Sequence, residues 1–108
     1  MKEHPYFEQV FEVARLCPEG RVTTYGAIAD FLALGSARMV GWALKHSFQS
    51  DPVPAHRVVN SKGELSGRHQ FSSPTMMAEL LMSEGVEVKD DKVQDFKNRF
   101  WNPSEELL

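Results

Sequence analysis

Apolar positions in the first part of this 108-residue chain recur at helical spacing. Phe7, Val10, Phe11 and Ala14 follow i, i+3, i+4, i+7, the stripe by which an amphipathic helix meets a core. We place a helix over 5–16, with Pro5 in the first turn, where its missing N–H has no helical partner to lose. Pro18-Glu19-Gly20 then reads as a turn. Thr23 or Thr24 can cap a short helix running through Ala27-Ile28-Ala29-Asp30-Phe31-Leu32, because a hydroxyl oxygen can take one of the free N–H groups of a first turn. Ala33-Leu34-Gly35 interrupts it, and Ser36 can cap a second helix reaching about Ser47, with Val40, Ala43 and Leu44 inward. Two short helices around a Gly-containing turn form a helix-turn-helix pattern over about 24–47. Ordinary helix packing produces the same pattern. Ser36, Ala37 and Gly41 are small and nearly in line on the outward face, with Lys45 one turn on. Such a face suits close approach to another helix or to a DNA minor groove only about 6 Å wide, and spacing alone leaves both open.

The pattern changes at Pro52-Val53-Pro54-Ala55-His56-Arg57. Prolines at i and i+2 hold the backbone extended and deny it helical hydrogen bonds, so Ala55 and His56 are expected on a stiff loop. The side chain presented there is a methyl group, which can neither attack, coordinate nor carry a proton. Residues 58–65 read as two short extended pieces around a Gly-containing turn, expected to pair as a hairpin. Ser73-Pro74 is expected to start a helix that reaches Glu84 and stops at Gly85, with Met77, Leu80 and Leu81 inward. In the tail, 87–108, Phe96, Phe100 and Trp101 are expected to fold back on the domain as a further pocket wall.

Length allows a single domain over 1–108 with one modest core. No apolar run approaches the roughly 20 residues of a membrane span, and Met1-Lys2-Glu3-His4-Pro5 does not open a signal peptide. A cytoplasmic monomer is expected, nucleoid-associated if bacterial, with no membrane partner. The single Cys17 excludes an internal disulfide. It reads as a structural thiol, since Arg15 alone nearby could lower its pKa. The four histidines lack metal-ligand spacing relative to each other or to Cys17, and neither metal nor cofactor is expected.

The net charge of −3 argues against indiscriminate DNA binding, which needs clustered cations. Its distribution qualifies that. Residues 35–70 hold five basic side chains against two acidic ones, a local +3, while the rest carries −6. The middle of the chain is the electropositive part.

These stretches resemble one family. Pro54-Ala55-His56-Arg57-Val58 is similar to the Pro-Cys-His-Arg-Val core of the O6-alkylguanine-DNA alkyltransferases, with Ala55 where that family has its alkyl-accepting cysteine. Val22-Thr23-Thr24-Tyr25-Gly26-Ala27-Ile28-Ala29 resembles its Val-x-Thr-Tyr-Gly-x-Ile-Ala, Ala37-Arg38-Met39-Val40-Gly41 its Ala-Arg-x-Val-Gly, and Leu80-Leu81-Met82-Ser83-Glu84-Gly85-Val86 its Leu-Leu-x-x-Glu-Gly-Val. A short chain with the cysteine replaced looks like an alkyltransferase-like protein. The resemblance runs from about Phe7 to Val86.

The fold it implies is α+β, mainly α: a winged helix-turn-helix domain like the C-terminal domain of those enzymes, with pocket loop and hairpin over about 52–70. The function it implies is not enzymatic. Double-stranded DNA containing O6-alkylguanine would be bound through the minor groove and flagged for nucleotide excision repair. Tyr25 resembles the tyrosine that crowds the 3′ phosphate, and Arg38 the arginine that fills the space left by the rotated nucleotide. Ser36, Ala37, Gly41 and Lys45 would complete the DNA face. Pro54, Ala55, His56 and Val59 would form the lesion pocket, with backbone groups near them and the Asn60 turn reading the base edge. Ser66-Gly67-Arg68-His69 departs from the family's Gly-Tyr-x-Gly-Gly loop, and Arg68 could stack on the base instead. His56 and Glu84 resemble two members of a relay whose third is gone, leaving a structural role. Rival readings are an alkyltransferase using Cys17, a hydrolase using His56 and Glu84, and a sequence-specific winged-helix regulator.

Overall fold

The computed structural model describes residues 6–49 and 52–107; Pro5, placed above in the first helical turn, lies outside them. Helix α1 (Tyr6–Leu16) buries Phe7, Val10, Phe11, Val13 and Ala14, the stripe its spacing called for. A two-residue strand β1 (Thr23–Thr24) leads directly into α2 (Tyr25–Phe31), and α3 (Ala37–Lys45) follows. Thr24 is the effective cap, its Oγ1 accepting from the Ala27 N–H at 3.0 Å.

The turn between α2 and α3 departs from expectation at its cap. Its left-handed residue is Ala33, at φ 56°. The Leu34 N–H reaches back to the Ala29 carbonyl at 2.9 Å and the Ala33 N–H to that of Asp30 at 3.2 Å, so position in this Schellman closure selects the residue, at roughly 1–2 kcal/mol for a side chain in that conformation. Ser36 sits at the N-cap with extended backbone, but its side chain makes no capping bond. At the far end α3 stops at Lys45, because the Ser47 hydroxyl turns back to donate to the Leu44 carbonyl at 2.6 Å.

The Pro-rich segment is not simply extended. Pro54 has φ −76° and ψ 64°, and the Ala55 N–H donates to the Val53 carbonyl at 2.7 Å, an inverse γ-turn. One turn of 3₁₀ helix over Ala55–Arg57 follows, then β2 (Val58–Val59). β2 pairs in parallel with β1, Thr23 opposite Val58 and Thr24 opposite Val59. All four residues are buried.

The hairpin expected within 58–65 is therefore corrected. Its first piece is taken by β1, while Glu64 bridges Lys92 in the tail. Asn60 only closes a local turn, its Oδ1 accepting the N–H groups of Lys62 and Glu64.

Helix α4 (Met76–Ser83) begins three residues later than Ser73, with Thr75 at its N-cap and the Met76 N–H donating to the Ser73 carbonyl at 3.3 Å in a preceding turn. It ends as expected: Gly85 at φ 90° lets the Val86 N–H reach the Leu81 carbonyl at 3.0 Å. The tail forms the hairpin β3 (Val88–Lys89) and β4 (Lys92–Val93), then α5 (Phe96–Arg99) and α6 (Pro103–Glu106). It does fold back: the Trp101 N–H donates to the Val22 carbonyl at 2.7 Å, and the Trp101 ring joins the core.

The apolar interior divides in two. One cluster unites α1, α2 and α3 with Ala55, Val58 and Trp101. The other gathers Val22, Val59, Leu65, Met77, Leu81, Val86 and Val93. The β1–β2 pair is the seam between them, with Val58 in the first cluster and Val59 in the second.

Candidate nucleic-acid interface

A groove of about 780 Å³ opens between α3 and the loop at residues 66–70. Tyr25 stands at its floor. A Cβ added to Gly41 would lie 3.9 Å from the Tyr25 ring, an ordinary contact, whereas one added to Gly67 would lie 2.9 Å from the Tyr25 hydroxyl. Only glycine fits at 67 without displacing that phenol. Burial pushes the Tyr25 pKa up against the opposing effect of its hydrogen bond with Ser66, so the phenol stays neutral.

Arg38 and Lys45 line the same groove. Both are exposed, and neither makes a side-chain hydrogen bond or ion pair among the described residues. Two uncommitted cations beside an apolar concavity are arranged to receive an anion at the rim and a flat apolar surface within.

Beneath the groove lies a cleft of about 30 Å³ where Ala55 meets Leu44, Phe48, Phe71 and Gln70. Tyr25, Gly41, Lys45, Gly67 and Gln70 border both spaces, so the groove leads down to the Ala55 methyl. The Phe48 and Phe71 rings meet edge to face at 5.0 Å. A space of this size holds about one water molecule; it can take the tip of a guest and not a ring.

On its other side the Ala55 turn is held by charge. His56 Nε2 lies 2.9 Å from Glu84 Oε2, Arg57 Nε donates to Glu84 Oε1 at 2.9 Å and Arg57 Nη2 to Oε2 at 2.7 Å. Arg57 Nη1 donates to the Cys17 carbonyl at 2.8 Å. The two-pronged Arg57 contact is the geometry in which a guanidinium and a carboxylate bind best. Burial alone would raise the Glu84 pKa; the hydrogen bonds and charges of Arg57 and His56 outweigh it and bring the carboxyl below its usual range. One carboxylate thus joins the Ala55 turn to the end of α4 and, through Arg57, to the turn after α1. The Cys17 thiol is pushed up to about 12, by burial against the partial opposition of Arg57 and Arg21, and is not a nucleophile at neutral pH.

The structure brings Tyr25, Ser36, Ala37, Arg38, Gly41 and Lys45 together on one groove, with Ala55 below them. It does not bring the remaining pocket residues there. Pro54 and His56 face a separate concavity with Arg15 and Arg57. The Val59 side chain is fully buried in the second core cluster, because β2 alternates its two faces between the clusters. Arg68 is turned away, Nη1 donating to the Leu65 carbonyl at 3.0 Å and Nε 3.4 Å from Asp91 of the tail. The tail lines neither space, so it is no pocket wall.

Three residues escaped the sequence reading. Arg57 stands in the quoted motif, yet its task depends on Glu84, distant in sequence. Trp42 sits four residues after Arg38 on the same helix face, a spacing that was its only local signal. Gln70 had no local signal.

Residues 5–86 match the family of 6-O-methylguanine DNA methyltransferase DNA-binding domains, and the chain belongs to that family. Alkyltransferase-like protein 1 of Schizosaccharomyces pombe is 33% identical over 108 residues, covering 95% of this chain and 100% of that protein. The DNA base-flipping protein of Escherichia coli is 34% identical over 104 residues, covering 94% and 78%. The crystal structure of S. pombe Atl1 in complex with damaged DNA containing O6-carboxymethylguanine is similar with a TM-score of 0.82 at 31% identity, covering 95% of this chain and 100% of that one. Mycobacterium tuberculosis OGT in complex with DNA is similar with a TM-score of 0.67 at 32% identity, and the match spans 77% of this chain and 51% of that one. Among the described residues no helix is long and apolar enough to cross a membrane.

Proposed function

We propose that this protein recognises O6-alkylguanine in double-stranded DNA by rotating the nucleotide out of the duplex, and that it leaves the lesion intact. The carrying observation is the groove that descends from Arg38 and Lys45, both without a partner among the described residues, past Tyr25, to the methyl of Ala55. Ala55 stands where the alkyltransferases place their acceptor cysteine. The purine would lie in the groove and its O6 substituent would enter the cleft. Extrusion costs a few kcal/mol of unstacking; the Arg38 guanidinium, filling the vacated space, would offset part of it.

Enzymatic rivals lack a competent group. Cys17 is buried and protonated, and both Glu84 oxygens are occupied by Arg57 and His56. The bound complex would serve as a flag for nucleotide excision repair, a role supported by the family resemblance and carried by no residue of this chain.

The test is binding to two duplexes identical except for one O6-methylguanine, with mass spectrometry of protein and DNA afterwards. Preference for the modified duplex with no change in either mass is expected. Equal binding in every sequence context, preference for one unmodified sequence, or a methyl gained by the protein would each overturn the reading.

A further inference from the structure

The DNA-facing side of α3 is not uniformly small. Arg38, Gly41, Trp42 and Lys45 share one face of the helix by their 3.6-residue period, and all four line the groove. Trp42 is 47% exposed, in contrast to Trp101 at 3%. It is also held still: its ring meets Phe7 edge-on at 5.9 Å and His46 at 5.9 Å, while Phe7 stacks on His46 at 5.3 Å. A large ring fixed by packing, flanked by two exposed cations, gives up little entropy when another surface covers it.

We propose that Trp42 is a DNA contact residue that packs on the deoxyribose wall of the minor groove. This rests on the DNA-binding reading above. Ser36, Ala37 and Gly41 are small enough to enter a groove about 6 Å wide, and an indole is not. With the small residues inserted, Trp42 meets the lip of the groove, where apolar sugar edges alternate with phosphates that Arg38 and Lys45 can reach. Sugars are the same in damaged and undamaged DNA, so the contact adds affinity without adding preference.

The chain holds two tryptophans, one exposed and one in the core, which makes the proposal readable by fluorescence. Labelled duplexes with and without O6-methylguanine are titrated while duplex anisotropy and tryptophan emission are followed together, with acrylamide quenching before and after saturation. For the native protein, emission should change and quenching should fall as either duplex binds. Trp42→Phe should abolish the emission change and keep affinity within about threefold, and Trp42→Ala should weaken both duplexes about tenfold at an unchanged ratio, as loss of a covered aromatic surface requires. Emission from Trp101 reports that the variants are folded. Rising anisotropy with unchanged emission and quenching, or native affinity in Trp42→Ala, would overturn the proposal and leave the DNA reading standing. Loss confined to the modified duplex would place Trp42 on the base and overturn the sugar contact. Failure of both duplexes to raise anisotropy would overturn both readings.

Discussion

The two sides of the Ala55 turn treat charge in opposite ways. Behind it, Arg57, His56 and Glu84 are largely buried and bonded to one another within 2.7–2.9 Å. In front of it, Arg38 and Lys45 are exposed on the groove with no partner among the described residues. Buried charge left unpaired is costly, so the rear network holds shape through mutual satisfaction. Exposed cations cost little when unpaired, so they can be kept free for an anionic partner. Substitutions behind the turn should therefore register in stability, and those in front of it in binding.

The largest effect is expected from Glu84→Ala. It would leave Arg57 buried without its carboxylate, and removal of one member of such a pair costs about 3 kcal/mol. Urea unfolding should show the loss at unchanged m-value. A loss below about 0.5 kcal/mol would mean the rear network is no brace. Arg38→Ala should do the reverse, leaving stability unchanged while weakening binding to the O6-methylguanine duplex by about thirtyfold, roughly 2 kcal/mol. Equal weakening on the unmodified duplex would reduce Arg38 to a phosphate contact. The smallest effect is that of pH. Because the folded Glu84 carboxyl lies below its ordinary value of 4.5, its stabilising contribution is fully present above that value and is lost as pH falls through the lower folded one. Between pH 5 and 3, stability should fall more steeply in the native protein than in Glu84→Gln. Parallel curves would show that this carboxyl carries no linked stability.

Much of the helix-turn-helix was legible because it is local. Phe7, Val10, Phe11 and Ala14 announce α1 by period alone, Thr24 caps α2 within its own turn, and Gly85 ends α4 within its own turn. The errors arose where partners lie far apart. Residues 58–65 have the composition of a hairpin, but β1 offered Val58 and Val59 a buried edge and the tail took Glu64. Arg68 reads as a free loop arginine until Asp91, twenty-three residues on, is placed beside it. The motif places Val59 beside the pocket, and only the two-sided burial of β2 shows that its side chain faces the second core cluster.

Sequence alone determined that the Pro-rich segment presents a methyl group at position 55 and that cations gather in the middle of the chain. It also determined helices α1 to α4, since period and capping act within a few residues. Tertiary structure decided which of those cations are free. Arg38 and Arg57 are the same side chain in neighbouring motifs, and Glu84 reaches one of them and not the other. Charge is a property of the residue, but whether it is neutralised depends on what the fold brings within about 4 Å of it.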